Sequence, residues 1–96
     1  MNSTLESMQI PVISTEHLTK EVADALTAQG DSNPWVICAP YEYGYFLWVS
    51  HGNDEEVGMP QCLRDIRDAL DAGGTGVWVR LDSDANPIQN APVYQW

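Results

Sequence analysis

Residues 35–49 read WVICAPYEYGYFLWV. Two apolar runs, Trp35-Val36-Ile37-Cys38-Ala39 and Tyr45-Phe46-Leu47-Trp48-Val49, flank Pro40-Tyr41-Glu42-Tyr43-Gly44. β-branched and aromatic residues on either side of a short turn-forming segment predict an antiparallel hairpin. In the second run the period of two sends Tyr45, Leu47 and Val49 to one face and Phe46 and Trp48 to the other. The aliphatic set suits a core and the aromatic set the opposite side.

The flanking chain alternates in period. Upstream, Ile10-Pro11-Val12-Ile13 predicts a strand with Pro11 at its start or on an edge, because proline cannot donate to a ladder. Ser14 or Thr15 then caps a helix over residues 15–29. Glu16 falls where the helix dipole favours negative charge. Leu18, Val22, Ala25 and Leu26 share one face, and Gly30 ends the helix. Downstream, residues 51–56 (HGNDEE) form an acidic loop, and Pro60 opens a second helix over residues 60–72. Its apolar face is Leu63, Ile66, Ala69 and Leu70, and Gly73-Gly74 stop it. Val77-Trp78-Val79-Arg80-Leu81 predicts a last strand, with Val77, Val79 and Leu81 facing the core and Trp78, Arg80 and Asp82 facing away. Residues 88–96 add a short edge strand or lie across the body.

Strand, helix, strand, strand, helix, strand predicts an α+β fold. The expected form is a two-layer sandwich on the split βαβ (ferredoxin-like) plan, with two helices on one face of an antiparallel sheet. Residues 1–9 are expected to be a mobile N-terminal tail and residues 10–96 a single α+β domain.

Charge narrows the function. Fourteen Asp and Glu stand against four Lys and Arg, a formal net charge of -10 in 96 residues, yet 44% of the chain is hydrophobic and it carries 4 Trp and 4 Tyr. Chains this acidic that stay disordered lack such apolar material, so this one folds. Lys20, Arg64, Arg67 and Arg80 do not make the basic patch that phosphate binding needs. Direct nucleic-acid binding and adsorption to an anionic membrane are both disfavoured. No apolar run is long enough to span a bilayer, and residues 1–9 lack the pattern of a signal peptide. A cytoplasmic location is expected, with Cys38 and Cys62 as free thiols.

Four constellations fail on spacing or order. His17, His51, Cys38 and Cys62 match no paired zinc motif. Asp54-Glu55-Glu56 are consecutive, whereas calcium loops alternate their ligands. Gly73-Gly74-Thr75-Gly76 runs from helix to strand, the reverse of a phosphate cradle. Ser50, His51 and Asp54 sit in one loop without a nucleophile elbow. No catalytic residue, cofactor or metal is expected.

Surface residues are the better candidates. Trp48, Trp78 and Phe46 share the predicted open sheet face, unless the C-terminal segment with Tyr94 and Trp96 covers it. Asp65, Asp68 and Asp71 recur every third residue as a slanting acidic row, which Arg64 and Arg67 can partly pair at i, i+4. With Asp54, Glu55 and Glu56 these are the candidate partner-binding residues.

Ile13-Ser14-Thr15-Glu16-His17-Leu18, Tyr43-Gly44-Tyr45-Phe46, Val77-Trp78-Val79-Arg80-Leu81-Asp82 and Pro92-Val93-Tyr94 together resemble a family of small uncharacterised proteins encoded on plasmids, phages and integrative elements of proteobacteria, over about residues 10–96. The resemblance implies a genetic setting in which small acidic proteins counter host defences, and it supplies no catalytic residues. The expected function is a non-enzymatic acidic protein-binding domain, an inhibitor that blocks a basic site in a nucleic-acid-processing complex. The alternative is a small homodimeric regulatory or accessory domain that associates through its open sheet face.

Overall fold

A computed structural model describes residues 6–7, 9–49, 58–74 and 77–96. Most of the segment expected to be a mobile tail, and Ser50, His51, Asp54, Glu55, Glu56, Thr75 and Gly76, lie outside the described residues. The elements are β1 (Val12–Ser14), a 3-10 turn (Thr15–His17), α1 (Lys20–Gln29), a second 3-10 turn (Gly30–Ser32), β2 (Ile37–Tyr41), β3 (Gly44–Trp48), α2 (Gln61–Gly73) and β4 (Trp78–Asp82).

The fold is α+β, with a four-stranded sheet in the order β1-β4-β3-β2. β3 pairs antiparallel with both β2 and β4, as the hairpin reading requires. β1 pairs parallel with β4, so the sheet is mixed rather than antiparallel throughout as the ferredoxin-like plan expected. The physical reason lies in the edge. Pro11 offers no N–H but its carbonyl accepts from the Arg80 amide at 2.9 Å, which registers β1 along the free side of β4. Periodicity specifies which face a strand buries and not the direction of its neighbour.

Local chemistry moves several boundaries. The helix expected over 15–29 is split in two. Ser14 Oγ accepts from the Glu16 amide at 3.0 Å and caps the 3-10 turn. Leu18 is then extended and fully buried, and Thr19 caps α1 by accepting from the Val22 amide at 3.3 Å. Two capping residues five apart, with a core leucine between them, start a helix twice. α2 ends as expected: Gly74 adopts φ 66° and its N–H closes on Leu70 and Asp71 carbonyls. β2 runs on through Pro40, which an edge strand tolerates. The remaining edge is blunted. The Cys38 amide donates to Asp31 at 3.1 Å and the Val36 amide to Asn33 at 3.0 Å, so neither is open to a further strand.

One hydrophobic cluster holds these elements. Ile13 from β1, Cys38 from β2, Tyr45 and Leu47 from β3, and Val79 and Leu81 from β4 join Val22 and Leu26 of α1 and Leu63, Ile66 and Leu70 of α2. Leu47, Leu63, Ile66, Val79 and Leu81 are fully buried, each contributing about 1.5–3 kcal/mol of burial free energy. Cys38 and Cys62 are buried free thiols. Burial, helped by Asp31, pushes the Cys38 thiol up to about 11, so it stays protonated and inert at neutral pH. Among the described residues no helix is long and apolar enough to cross a membrane.

Two outcomes follow from this packing. Leu47→Asp or Val79→Asp should abolish the cooperative thermal transition, because each buries an unpaired charge, whereas half-buried Trp48→Ala should lower Tm by less. Gly44→Ala should cost more than about 2 kcal/mol in urea unfolding, because its Cβ would stand 1.8 Å from the Leu81 carbonyl oxygen.

Candidate partner-binding face

Alternation along β2, β3 and β4 builds the face opposite the core. Trp48 pairs with Trp78 across β3 and β4 and with Ile37 across β2. The two indole centroids are 6.4 Å apart at 31°, a tilted pair that presents one continuous aromatic surface. Phe46 pairs with Arg80, and Arg80 in turn with Val12. Phe46, Trp48 and Trp78 are each half-buried, and Ile37 and Val12 are 44% and 42% exposed. The structure thus brings together the three aromatic residues predicted from sequence.

It adds Tyr41, which alternation did not single out. Tyr41 lies opposite Gly44, where no side chain competes, and its ring packs 5.2 Å from that of Phe46. Its hydroxyl donates to Asp82 Oδ2 at 2.8 Å. Asp82 also accepts from the Asp84 amide at 2.8 Å, and this bond first, then Tyr41, holds its carboxyl below the usual carboxylate range. Arg80 lies over the Tyr41 ring at 6.0 Å and reaches Asp82 at 3.6 Å. Its Nε is buried without a hydrogen-bond partner. The signal for Tyr41 was Gly44 four positions after Pro40 in a hairpin, since a strand glycine invites an aromatic ring from across the ladder.

The C-terminal segment does not form a strand, and its described contacts leave Phe46, Trp48 and Trp78 untouched. Ile88 and Tyr94 pack against the core cluster instead. His17, 1% exposed, latches the segment. Its Nδ1 donates to the Pro92 carbonyl at 2.8 Å, and its Nε2 accepts from the Ile88 amide at 2.9 Å. A carbonyl can only accept and an amide can only donate, so the two bonds select the neutral Nδ1–H tautomer. The Tyr94 amide adds a bond to the Glu16 carbonyl at 2.8 Å, and the Trp96 indole N–H one to the Leu18 carbonyl at 3.0 Å. Of the two roles open to residues 88–96, lying across the body is the one observed.

The acidic row is not part of the aromatic face. Asp68 and Asp71 are exposed and Asp65 is half-buried, accepting from Gln61 Nε2 at 2.9 Å. All three sit on α2, whose buried residues Leu63, Ile66 and Leu70 join the core cluster. Arg64 turns its Nε to the Met59 carbonyl at 3.0 Å, and Arg67 is buried with a terminal nitrogen 3.9 Å from Met59 Sδ. Among the described residues no group of three or more His, Cys, Asp or Glu side chains is placed to hold a metal ion.

A family model described as "Family of unknown function (DUF5983) C-terminal domain" matches residues 10–96. The chain belongs to this family. The matched span is the one over which the sequence resemblance runs, and the match carries no statement about plasmids, phages or proteobacteria. No curated protein and no solved structure matches the chain.

The latch yields a test. His17→Ala removes both bonds and leaves the Ile88 amide without its acceptor, so it should cost about 2–4 kcal/mol in chemical unfolding. Hydrogen exchange at the Ile88 and Tyr94 amides should rise more than at Leu47 or Val79.

Proposed function

We propose that this domain is a non-enzymatic protein-binding module whose open sheet face docks on a basic partner. The reading takes α1 and α2 as a single layer over the core face, which leaves the opposite face free. The observation that carries it is the paired Trp48 and Trp78 surface, flanked by Phe46 and Ile37, to which the C-terminal segment makes no described contact. Tryptophan and tyrosine anchors set in a ring of polar residues supply most of the free energy at protein interfaces. The net charge of -10 supports the choice of a basic partner through steering and through repulsion of acidic ones. Lys20 pairs with Asp24 at 2.9 Å and Arg80 with Asp82 at 3.6 Å, so these cations lie beside the chain's own carboxylates.

The same reading extends to mode of action. A compact, strongly negative body can occupy a channel built for nucleic acid, and we propose inhibition of a nucleic-acid-processing complex, one of host defence, as the biological form of the binding. The acidic row of α2 would act at long range, as part of the summed field, while the aromatic face makes the contact.

Affinity capture from host lysate, quantified by mass spectrometry, tests this with three baits. The wild type should enrich basic proteins in a salt-sensitive manner. The Trp48→Ala/Trp78→Ala double variant should lose them. The Asp65→Asn/Asp68→Asn/Asp71→Asn variant should keep its cooperative transition and associate several-fold more slowly, since Asn retains the oxygen that Asp65 offers Gln61 and the exposed charges of Asp68 and Asp71 contribute little to stability and more to encounter. Capture unchanged by the double variant would refute the face. A salt-resistant dimer by light scattering, lost in the double variant, would replace the basic partner with a second copy of the chain.

A further inference from the structure

A second aromatic surface lies at the end of the sheet that carries the β2–β3 turn, away from Trp48 and Trp78. A hollow of about 300 Å³ opens there, with Pro40, Tyr41, Glu42, Tyr43, Tyr45 and Trp96 in its walls. Tyr43 and Trp96 are the most exposed of these rings, at 49% and 60%. Both are fixed by backbone they do not share. The Tyr43 carbonyl accepts from the Ser83 amide at 2.8 Å, and the Trp96 indole is held to the Leu18 carbonyl at 3.0 Å. Tyr45 is anchored below them by its hydroxyl, which donates to the Ala23 carbonyl at 2.9 Å. The Tyr43 backbone, the Trp96 indole and the Tyr45 ring are therefore held before any ligand arrives, and the Tyr43 ring stands edge-on to that of Tyr41 at 6.4 Å, which lowers the entropy lost on binding.

The chemistry of the hollow points to a cation. Aromatic faces carry partial negative charge and attract guanidinium and ammonium groups. Glu42 is exposed, and the ion pairs described, Lys20–Asp24 and Arg80–Asp82, do not involve it. The chain already binds one guanidinium in this way: Arg80 rests on Tyr41 at 6.0 Å beside the Asp82 carboxylate. Tyr43, Trp96 and Glu42 line one hollow and offer the same kinds of group, ring and carboxylate. A planar guanidinium stacks on such rings and pairs with a carboxylate at once, which an ammonium group does less well.

We infer that this hollow seats an arginine side chain of a partner protein, stacked against Tyr43 and Trp96 with Glu42 as its counter-ion. The inference rests on the reading of the domain as a binder of basic partners and names a contact outside the open sheet face. The field of the whole chain would draw the arginine in, and the preformed walls would select it over lysine.

Aromatic NMR spectra of the intact protein during titration with a short peptide alternating glycine and arginine test it. The ring signals of Tyr43 and Trp96 should shift and saturate while those of Trp48 and Trp78 stay. Tyr43→Leu, which keeps an apolar side chain at an exposed turn position, should weaken binding about 3-fold. Glu42→Gln should weaken it about 2-fold and flatten its salt dependence. The matching glycine-lysine peptide should bind more weakly than the arginine one. Unmoved Tyr43 and Trp96 signals, or equal binding by wild type and Tyr43→Leu, would overturn the inference. Shifts confined to Trp48 and Trp78 would overturn it while leaving the open face intact. Saturation at the hollow, together with lysate capture unaffected by Trp48→Ala/Trp78→Ala, would keep the hollow and remove the open face.

Discussion

Gly44 meets the Leu81 carbonyl so closely that only a residue without Cβ fits, and this contact pins β3 against β4. The rest of the molecule depends on that register. With Gly44 opposite Asp82, Leu47 falls opposite Val79 on the core side and Trp48 opposite Trp78 on the other. A slip of one residue would exchange the two faces, exposing Leu47, Val79 and Leu81 and burying two indoles and Arg80 in an apolar core. The cost of that exchange fixes one answer. A position chosen for close approach in the backbone therefore decides where the aromatic surface lies, and the Tyr41 ring fills the space that the missing Gly44 side chain leaves.

The second constraint is the latch at His17. A buried imidazole with both nitrogens engaged joins residues more than seventy positions apart in the chain. By tying residues 88–92 to the turn before α1, it closes the core with Ile88 and Tyr94. It also directs Trp96 to the end of the sheet where Tyr43 stands. The binding surfaces proposed above are thus consequences of how the chain closes its core. Among the described residues the C-terminal segment packs away from Trp48 and Trp78, and it brings Trp96 beside the β2–β3 turn, where it lines the hollow.

Much of the fold was legible in the sequence. The period-two pattern of residues 45–49 and 77–81 placed Tyr45, Leu47, Val49, Val79 and Leu81 in the core correctly, whereas Val77, expected with them, is only half-buried just before β4, and glycines at 30 and 74 marked the helix ends. Pro11 was readable as an edge residue. The parallel pairing of β1 was not legible, since the direction in which Val12–Ser14 lies along Arg80–Asp82 is set by a long-range ladder that no local pattern encodes. The break at Leu18 was hidden because Ser14 and Thr19 are both good caps and either alone predicts one helix. The aromatic trio of the candidate face was found by alternation, whereas Tyr43 and Trp96 come together only through the latch. The latch role of His17 was not legible because its partners are backbone groups, which carry no side-chain signature.

The central claim is that the two sheet faces are divided, with the C-terminal segment on the core side and Trp48 and Trp78 open. Hydroxyl-radical footprinting of the isolated protein, read by mass spectrometry for each tryptophan and tyrosine, tests it most directly. The account predicts ready oxidation of Trp48, Trp78, Tyr43 and Trp96, with Tyr45 protected in the native protein and oxidised only on unfolding. Protection of Trp48 and Trp78 in the native monomer, with Tyr94 freely oxidised, would place the C-terminal segment over the aromatic face and contradict the account.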